Sequence, residues 1–151
     1  MLHSLSNNWA WPRRLPRGRL AAARYVLPSL LTVVATRLAL SFASLRRLRQ
    51  WLLPATAPDR LDLVEVGRAA WSVRLVSHLV PFASCLTQAQ ACQILLARRG
   101  IASRLCLGVR ENHSGGLEAH AWVICEDRLV LGGEAGGVAS FRLLTEMGPM
   151  R

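Results

Sequence analysis

The sequence predicts an α+β domain: a helix that opens on a cysteine, packed on a small antiparallel sheet, with further helices before it. Three observations carry this. Ser84–Cys85 opens a run without Pro or Gly that stops at Gly100. Two alternating segments follow, at about 101–110 and 117–125, joined by the loop ENHSGG and trailed by the short run RLVL. His120 lies inside the second of these segments, 35 residues after Cys85.

A chain of 151 residues accommodates one domain with an appended segment. We expect residues 1–55 to form an N-terminal basic, apolar helical segment and residues 56–151 to form the domain proper. The chain has 19 Arg and no Lys. Residues 1–60 hold ten Arg against Asp59, a balance of +9, whereas residues 61–151 hold nine Arg against eight acids, a balance of +1. The basicity therefore belongs to the N-terminal segment. Such a segment suits anionic lipid, an acidic peptide or nucleic acid, or is simply a solvated arginine-rich face. No zinc-finger spacing and no aromatic RNA-binding signature occurs, so nucleic acid is not expected as a partner.

Residues 1–19 read as a poorly ordered terminus, with Trp9 and Trp11 available for docking. Residues 20–53 read as helical, with Leu20, Leu27, Leu31, Val34, Leu38, Leu45, Leu48 and Leu52 near i, i+3, i+4 spacing. Pro28 should kink this stretch or mark its first turn. The apolar run Tyr25–Thr36 has 12 residues before Arg37. A spanning helix needs about 20, so a transmembrane reading is poor. A surface-lying amphipathic helix, with Arg46, Arg47 and Arg49 at lipid headgroups, is a peripheral membrane alternative. No clear small-residue cleavage site supports a signal peptide. Residues 54–58 read as a linker. The next helix is expected over about Asp59–Val80, with Leu63, Val66, Ala70, Val73 and Ser77 as its core stripe, Leu75 and Leu79 alongside, and Pro81 as its stop.

Ser84 is a suitable N-cap, and Arg98 and Arg99 suit the negative end of the next helix. Cys85, Ala89, Cys92 and Leu96 share one face. Cys85 therefore sits at the positive end of a helix, where free N–H groups stabilise a thiolate. In the following strands, Ser103, Leu105, Leu107 and Val109 share one face, and His120, Trp122 and Ile124 share another. A helix on a sheet lets Cys85 and His120 meet as a thiol–imidazole pair suited to nucleophilic catalysis. Each residue also has a structural reading, because a buried cysteine is commonly a small hydrophobe. Cys92, Cys106 and Cys125 read as core. The four cysteines lack CxxC or other zinc spacing and are too sparse for a disulfide framework, so reduced thiols in the cytoplasm fit best. Phe141, Leu143 and Leu144 are expected to close the core, and the last residues to fray. The loop GGEAGGVAS lacks nucleotide-binding spacing, and no cofactor or metal is expected.

The segments ASCLTQAQACQILLARRGIASRLCLGVR and LEAHAWV, followed by RLVLGGE, resemble the transglutaminase-like cysteine peptidases of lasso-peptide biosynthesis. The resemblance covers roughly the last 90 residues. It implies a transglutaminase-like, papain-like core, with Cys85 as nucleophile and His120 as its base. It implies removal of the leader from a lasso precursor peptide, beside a separate leader-recognition protein and an ATP-using macrolactam cyclase. The family's third catalytic residue is an aspartate about a dozen positions after the histidine, where this chain has Gly132. That departure keeps a second reading open: a decayed scaffold that binds a peptide or partner protein. A third reading, acyl transfer to an amine, uses the same Cys–His pair.

The hairpin after His120 bears on the third group. A two-residue turn at Glu126 and Asp127 would face His120 with Gly133. A three-residue loop, 125–127, would face it with Gly132 and bring Glu134 diagonally onto its face. We expect the three-residue loop, with Glu134 in the aspartate's role. Asp127, at the hairpin tip, is the poorer candidate, and a backbone carbonyl or water is the alternative orienter.

Overall fold

The computed structural model describes residues 19–53, 61–133 and 137–149, with side chains from residue 24 onward. The expected disordered terminus with Trp9 and Trp11, the position of Leu20's side chain, the 54–58 linker, and Glu134 lie outside these residues. The described elements are α1 (Arg19–Phe42), α2 (Leu45–Leu52), α3 (Leu63–Ser77), α4 (Cys85–Arg98), β1 (Arg104–Glu111), β2 (Leu117–Cys125), β3 (Arg128–Leu131), a 3-10 turn (Val138–Ser140) and β4 (Arg142–Met147). The sheet is antiparallel with order β3-β2-β1-β4. The architecture is α+β, as expected.

The helices form one layer and the sheet the other. The main core joins Val33 of α1, Val66, Ala70 and Val73 of α3, Ala89, Cys92 and Leu96 of α4, and Leu105, Ala121, Val123 and Cys125 of the sheet. On the sheet's opposite face a smaller cluster gathers Cys106, Trp122, Ile124, Val138 and Phe141. Period-two alternation along β2 explains the split, because successive side chains go to opposite faces.

Local signals set most boundaries. The Asp62 carboxylate accepts from the N–H groups of Val64 and Glu65, at 3.0 and 3.2 Å, and starts α3. The side chain of Asn112 accepts from the N–H groups of Ser114 and Gly116 and shapes the β1–β2 turn. Gly108 of β1 lies under Trp122: an added Cβ would sit 2.7 Å from the indole ring, so only glycine lets this ring cover the strand.

Several expectations are corrected. Residues 20–53 are two helices, α1 and α2, broken at Ala43–Ser44. Pro28 stays inside α1, and Thr32 donates to its carbonyl at 2.7 Å. The apolar row Leu27, Leu31, Val34 and Leu38 faces outward and is exposed. The inward face is instead Tyr25, Ser29, Thr32, Val33 and Thr36. Small and hydroxyl-bearing residues let the helices approach closely, and Ser29 and Ser72 hydrogen-bond at 2.6 Å across the α1–α3 contact. The Tyr25 hydroxyl donates to Glu65 at 2.6 Å, and Arg68 and Arg99 flank its ring. By length and composition, Arg24–Phe42 reaches the requirement for a membrane span, with mean hydropathy 1.5 over 19 residues. The shorter run read from sequence understated this, because Arg37 is the only charge within the helix after Arg24. Its inward face nevertheless packs on α3 and α4.

Leu63 of the expected core stripe and Leu75 and Leu79 are also exposed: α3 runs only over Leu63–Ser77, so Leu79 lies beyond it, and its buried side takes in Ala69, Ser72 and Val76 besides Val66, Ala70, Val73 and Ser77. Leu144 is exposed, and Met147 is paired in β4 instead of fraying. The β2–β3 hairpin closes with a two-residue turn, Cys125 opposite Arg128 and Glu126 at φ 51°, not with the three-residue loop. A bulge then makes Val130 an extra residue, so that Ile124 faces Leu129 but Val123 faces Leu131. Pairing ends there, and neither expected partner faces His120 in the ladder.

Candidate active site

The turn after α3 delivers the cysteine. Phe82 takes φ 59° and Ala83 N–H donates to the Val80 carbonyl at 3.3 Å, which reverses the chain onto α4. The Ser84 hydroxyl accepts from Thr87 N–H at 3.3 Å, so Ser84 is the N-cap and Cys85 the first helical residue. N–H groups of a first helical turn have no intrahelical acceptor and point at whatever lies before the helix. Cys85 is half-buried, whereas Cys92, Cys106 and Cys125 are buried.

Cys85 and His120 line one cavity of about 330 Å³, together with Arg74, Gln88, Leu131 and Gly132. The sheet edge makes room for it. Beyond Val123, β2 has no ladder partner on the β3 side among the described residues. His120 leans over that edge, and its Nε2 lies 2.7 Å from the Gly132 carbonyl oxygen. Its ring lies against Phe141, with centroids 5.1 Å apart, and near Trp122 at 6.2 Å. The histidine thus belongs to the face opposite α4 and still borders the cavity that Cys85 enters from the helix layer. Among the expected site residues, Cys85 and His120 share this cavity and Glu134 falls outside the described residues. Asp127 is fully exposed at the hairpin tip, 3.7 Å from Arg104. Sequence reasoning missed Gln88 and Arg74. Gln88 carried a usable signal, since it lies three residues after Cys85 on the same helix. Arg74, from α3, carried none.

Burial holds the other three thiols protonated. It pushes Cys125 up to about 12 and Cys106 up to about 11, and it raises Cys92 as well. Each raised value means that the unfolded chain, whose thiols titrate near 9.0, loses its protons first. Stability from these thiols is complete below that pH and is lost as pH rises through the folded values. We expect urea stability to fall from about pH 9, up to about 12 for Cys125 and only to about 11 for Cys106, with a slope of at most about 1.4 kcal/mol per pH unit for a fully buried thiol. Cys125→Ala should make the slope shallower; an unchanged slope would remove this thiol as a cause.

A family model of the transglutaminase-like superfamily matches residues 30–146, from within α1 to within β4. No curated protein and no solved structure gives a match. The match spans more than half of the chain and takes in both the cysteine-bearing helix and the histidine-bearing strand, so the chain belongs to the transglutaminase-like superfamily.

Proposed function

We propose that the protein is a cysteine peptidase that removes the leader from a ribosomally synthesised lasso precursor peptide. The observation that carries this reading is the cavity bordered by both Cys85, at the positive end of α4, and His120. The superfamily generally includes cysteine proteases and acyltransferases. The choice of a lasso precursor is supported by the quoted segments, which supply α4, β1, β2 and β3.

In this reading the Cys85 sulfur attacks the scissile carbonyl carbon as His120 takes the thiol proton. The carbonyl oxygen becomes an oxyanion facing the first-turn N–H groups of α4. Collapse breaks the C–N bond, and the imidazolium gives its proton to the leaving amine. Water then hydrolyses the thioester by the same base. An amine in place of water would give acyl transfer from the same intermediate. The reaction is set in the cytoplasm, where thiols stay reduced.

The partners are the precursor peptide, a separate leader-recognition protein and an ATP-using macrolactam cyclase. The described parts of residues 19–80 are helices packed on the domain core, and in this reading leader recognition belongs to the separate protein. We therefore expect slow cleavage by the protein alone. Adding the recognition protein should raise the rate at low precursor concentration by lowering the effective KM. Mass spectrometry of a time course reads both; full activity without any partner would refute the partner requirement. Absence of cleavage with all three partners present would favour the second reading, a peptide-binding scaffold, which Gly132 at the aspartate's position supports.

A further inference from the structure

A carbonyl oxygen can only accept a hydrogen bond, so its 2.7 Å approach to His120 Nε2 requires the proton to be on that nitrogen. In the neutral ring Nδ1 then carries the lone pair. We propose that the Gly132 backbone carbonyl is the positioning group for His120: it holds the Nε2–H tautomer and leaves Nδ1 to serve Cys85. This rests on the reading of Cys85 and His120 as nucleophile and base.

The backbone at Gly132 is built for the contact. Its φ is +91°, a region that L side chains rarely adopt. A Cβ there would lie 2.7 Å from both the Ala121 carbonyl oxygen and the Trp122 Cβ. The chain thus passes too close to β2 for any side chain, and the same closeness brings the carbonyl to the ring. An aspartate could not enter at 132 without moving this backbone. The bulge in β3 ends the ladder at Leu131 and leaves the next carbonyl available. Phe141, on the ring's face, restrains the imidazole plane.

The proton path follows. The Nδ1 lone pair takes the proton from the Cys85 sulfur, giving a thiolate and an imidazolium with two N–H groups. The Nε2–H remains on the Gly132 carbonyl throughout. The Nδ1 proton later passes to the leaving amine. A carbonyl contributes a dipole and no full charge, so it fixes tautomer and orientation while compensating the imidazolium less than a carboxylate would.

The test uses the full chain labelled with ¹⁵N-histidine and carrying Cys85→Ala, with the tautomer read by long-range ¹H–¹⁵N correlation. We expect Nε2–H for His120, and the same tautomer after Glu134→Gln. In the chain with Cys85 intact, Gly132→Ala should slow alkylation of Cys85 by iodoacetamide by about a hundredfold, the scale of a lost general base. An Nδ1–H tautomer in the parent overturns the proposal. So does a shift to Nδ1–H in Glu134→Gln, because a carboxylate would then be setting the proton. So does a folded Gly132→Ala that alkylates at the parent rate. Should Gly132→Ala fail to fold, the two tautomer readings decide alone. Retained cleavage by Cys85→Ala would instead sink the peptidase reading and leave the tautomer result standing.

Discussion

Replacing Cys85 by alanine is expected to abolish leader cleavage, by on the order of a millionfold in kcat, while leaving the protein folded. The loss is that large because the sulfur is the proposed electrophile-attacking atom; neither the helix N–H groups nor His120 can replace it. The fold should survive because Cys85 is half-buried and does not cap the helix. That role belongs to Ser84. Cys92→Ala is the matched control. It removes a fully buried thiol from the main core and should cost roughly 1 kcal/mol, at the low end for a small cavity, with cleavage retained. Cleavage assays with circular dichroism on both variants check this. Equal loss of activity in two folded variants would count against Cys85 as the nucleophile.

Arg49→Ala should produce the largest loss of stability, about 3 kcal/mol. Arg49, expected beside Arg46 and Arg47 at lipid headgroups, is instead a buried guanidinium of α2, only 6% exposed. Its hydrogen bonds go to Gln93 of α4 and, at 2.6 Å, to the Gly148 carbonyl after β4. Gln93 in turn donates to the carbonyls of Ser103 and Met147, at 3.1 and 2.9 Å. One side chain thereby ties α2, α4 and the C-terminal strand together. Burial lowers the Arg49 pKa, the mark of a cation taken from water without full compensation. Truncation leaves the Gln93 and Gly148 acceptors short of a donor, and an unmet buried acceptor costs more than the bond was worth. At about 2–4 °C per kcal/mol, the melting temperature should fall by roughly 6–12 °C. Arg49→Lys should rescue little, since an ammonium cannot reach both acceptors in a fork. A melting temperature for Arg49→Ala equal to the parent's would show the network to be ornamental.

The parts of the fold that were legible rest on short-range chemistry. A Ser before Cys85 and a Gly at 100 bound α4 because caps are satisfied by neighbours a few residues away. The loop ENHSGG before it and the turn at Glu126–Asp127 after it placed β2 at Leu117–Cys125, the span observed. Asn and Gly marked the turn between β1 and β2. The apolar row on α1 points outward, and the sequence left its direction open because periodicity reports that a helix has an apolar face, not what that face meets. Ser29 and Thr32 are accommodated in the interior since their hydroxyl groups find nearby partners in a close helix contact, whereas the buried Thr36 hydroxyl has no hydrogen-bond partner among the described residues. β4 escaped notice because an edge strand with a bulge beside it, Arg142–Met147, loses the clean alternation that identifies a strand.

Residue identity and spacing within single elements alone set the chemical types at the site: a thiol at a helix start, an imidazole in a strand, and no aspartate a dozen residues later. Which atom holds the imidazole was decided only by tertiary structure. A backbone carbonyl belongs to every residue and so carries no signature. Its approach to His120 depends on an unforeseen bulge in β3, the end of the ladder at Leu131, and a glycine at φ +91° packed against β2.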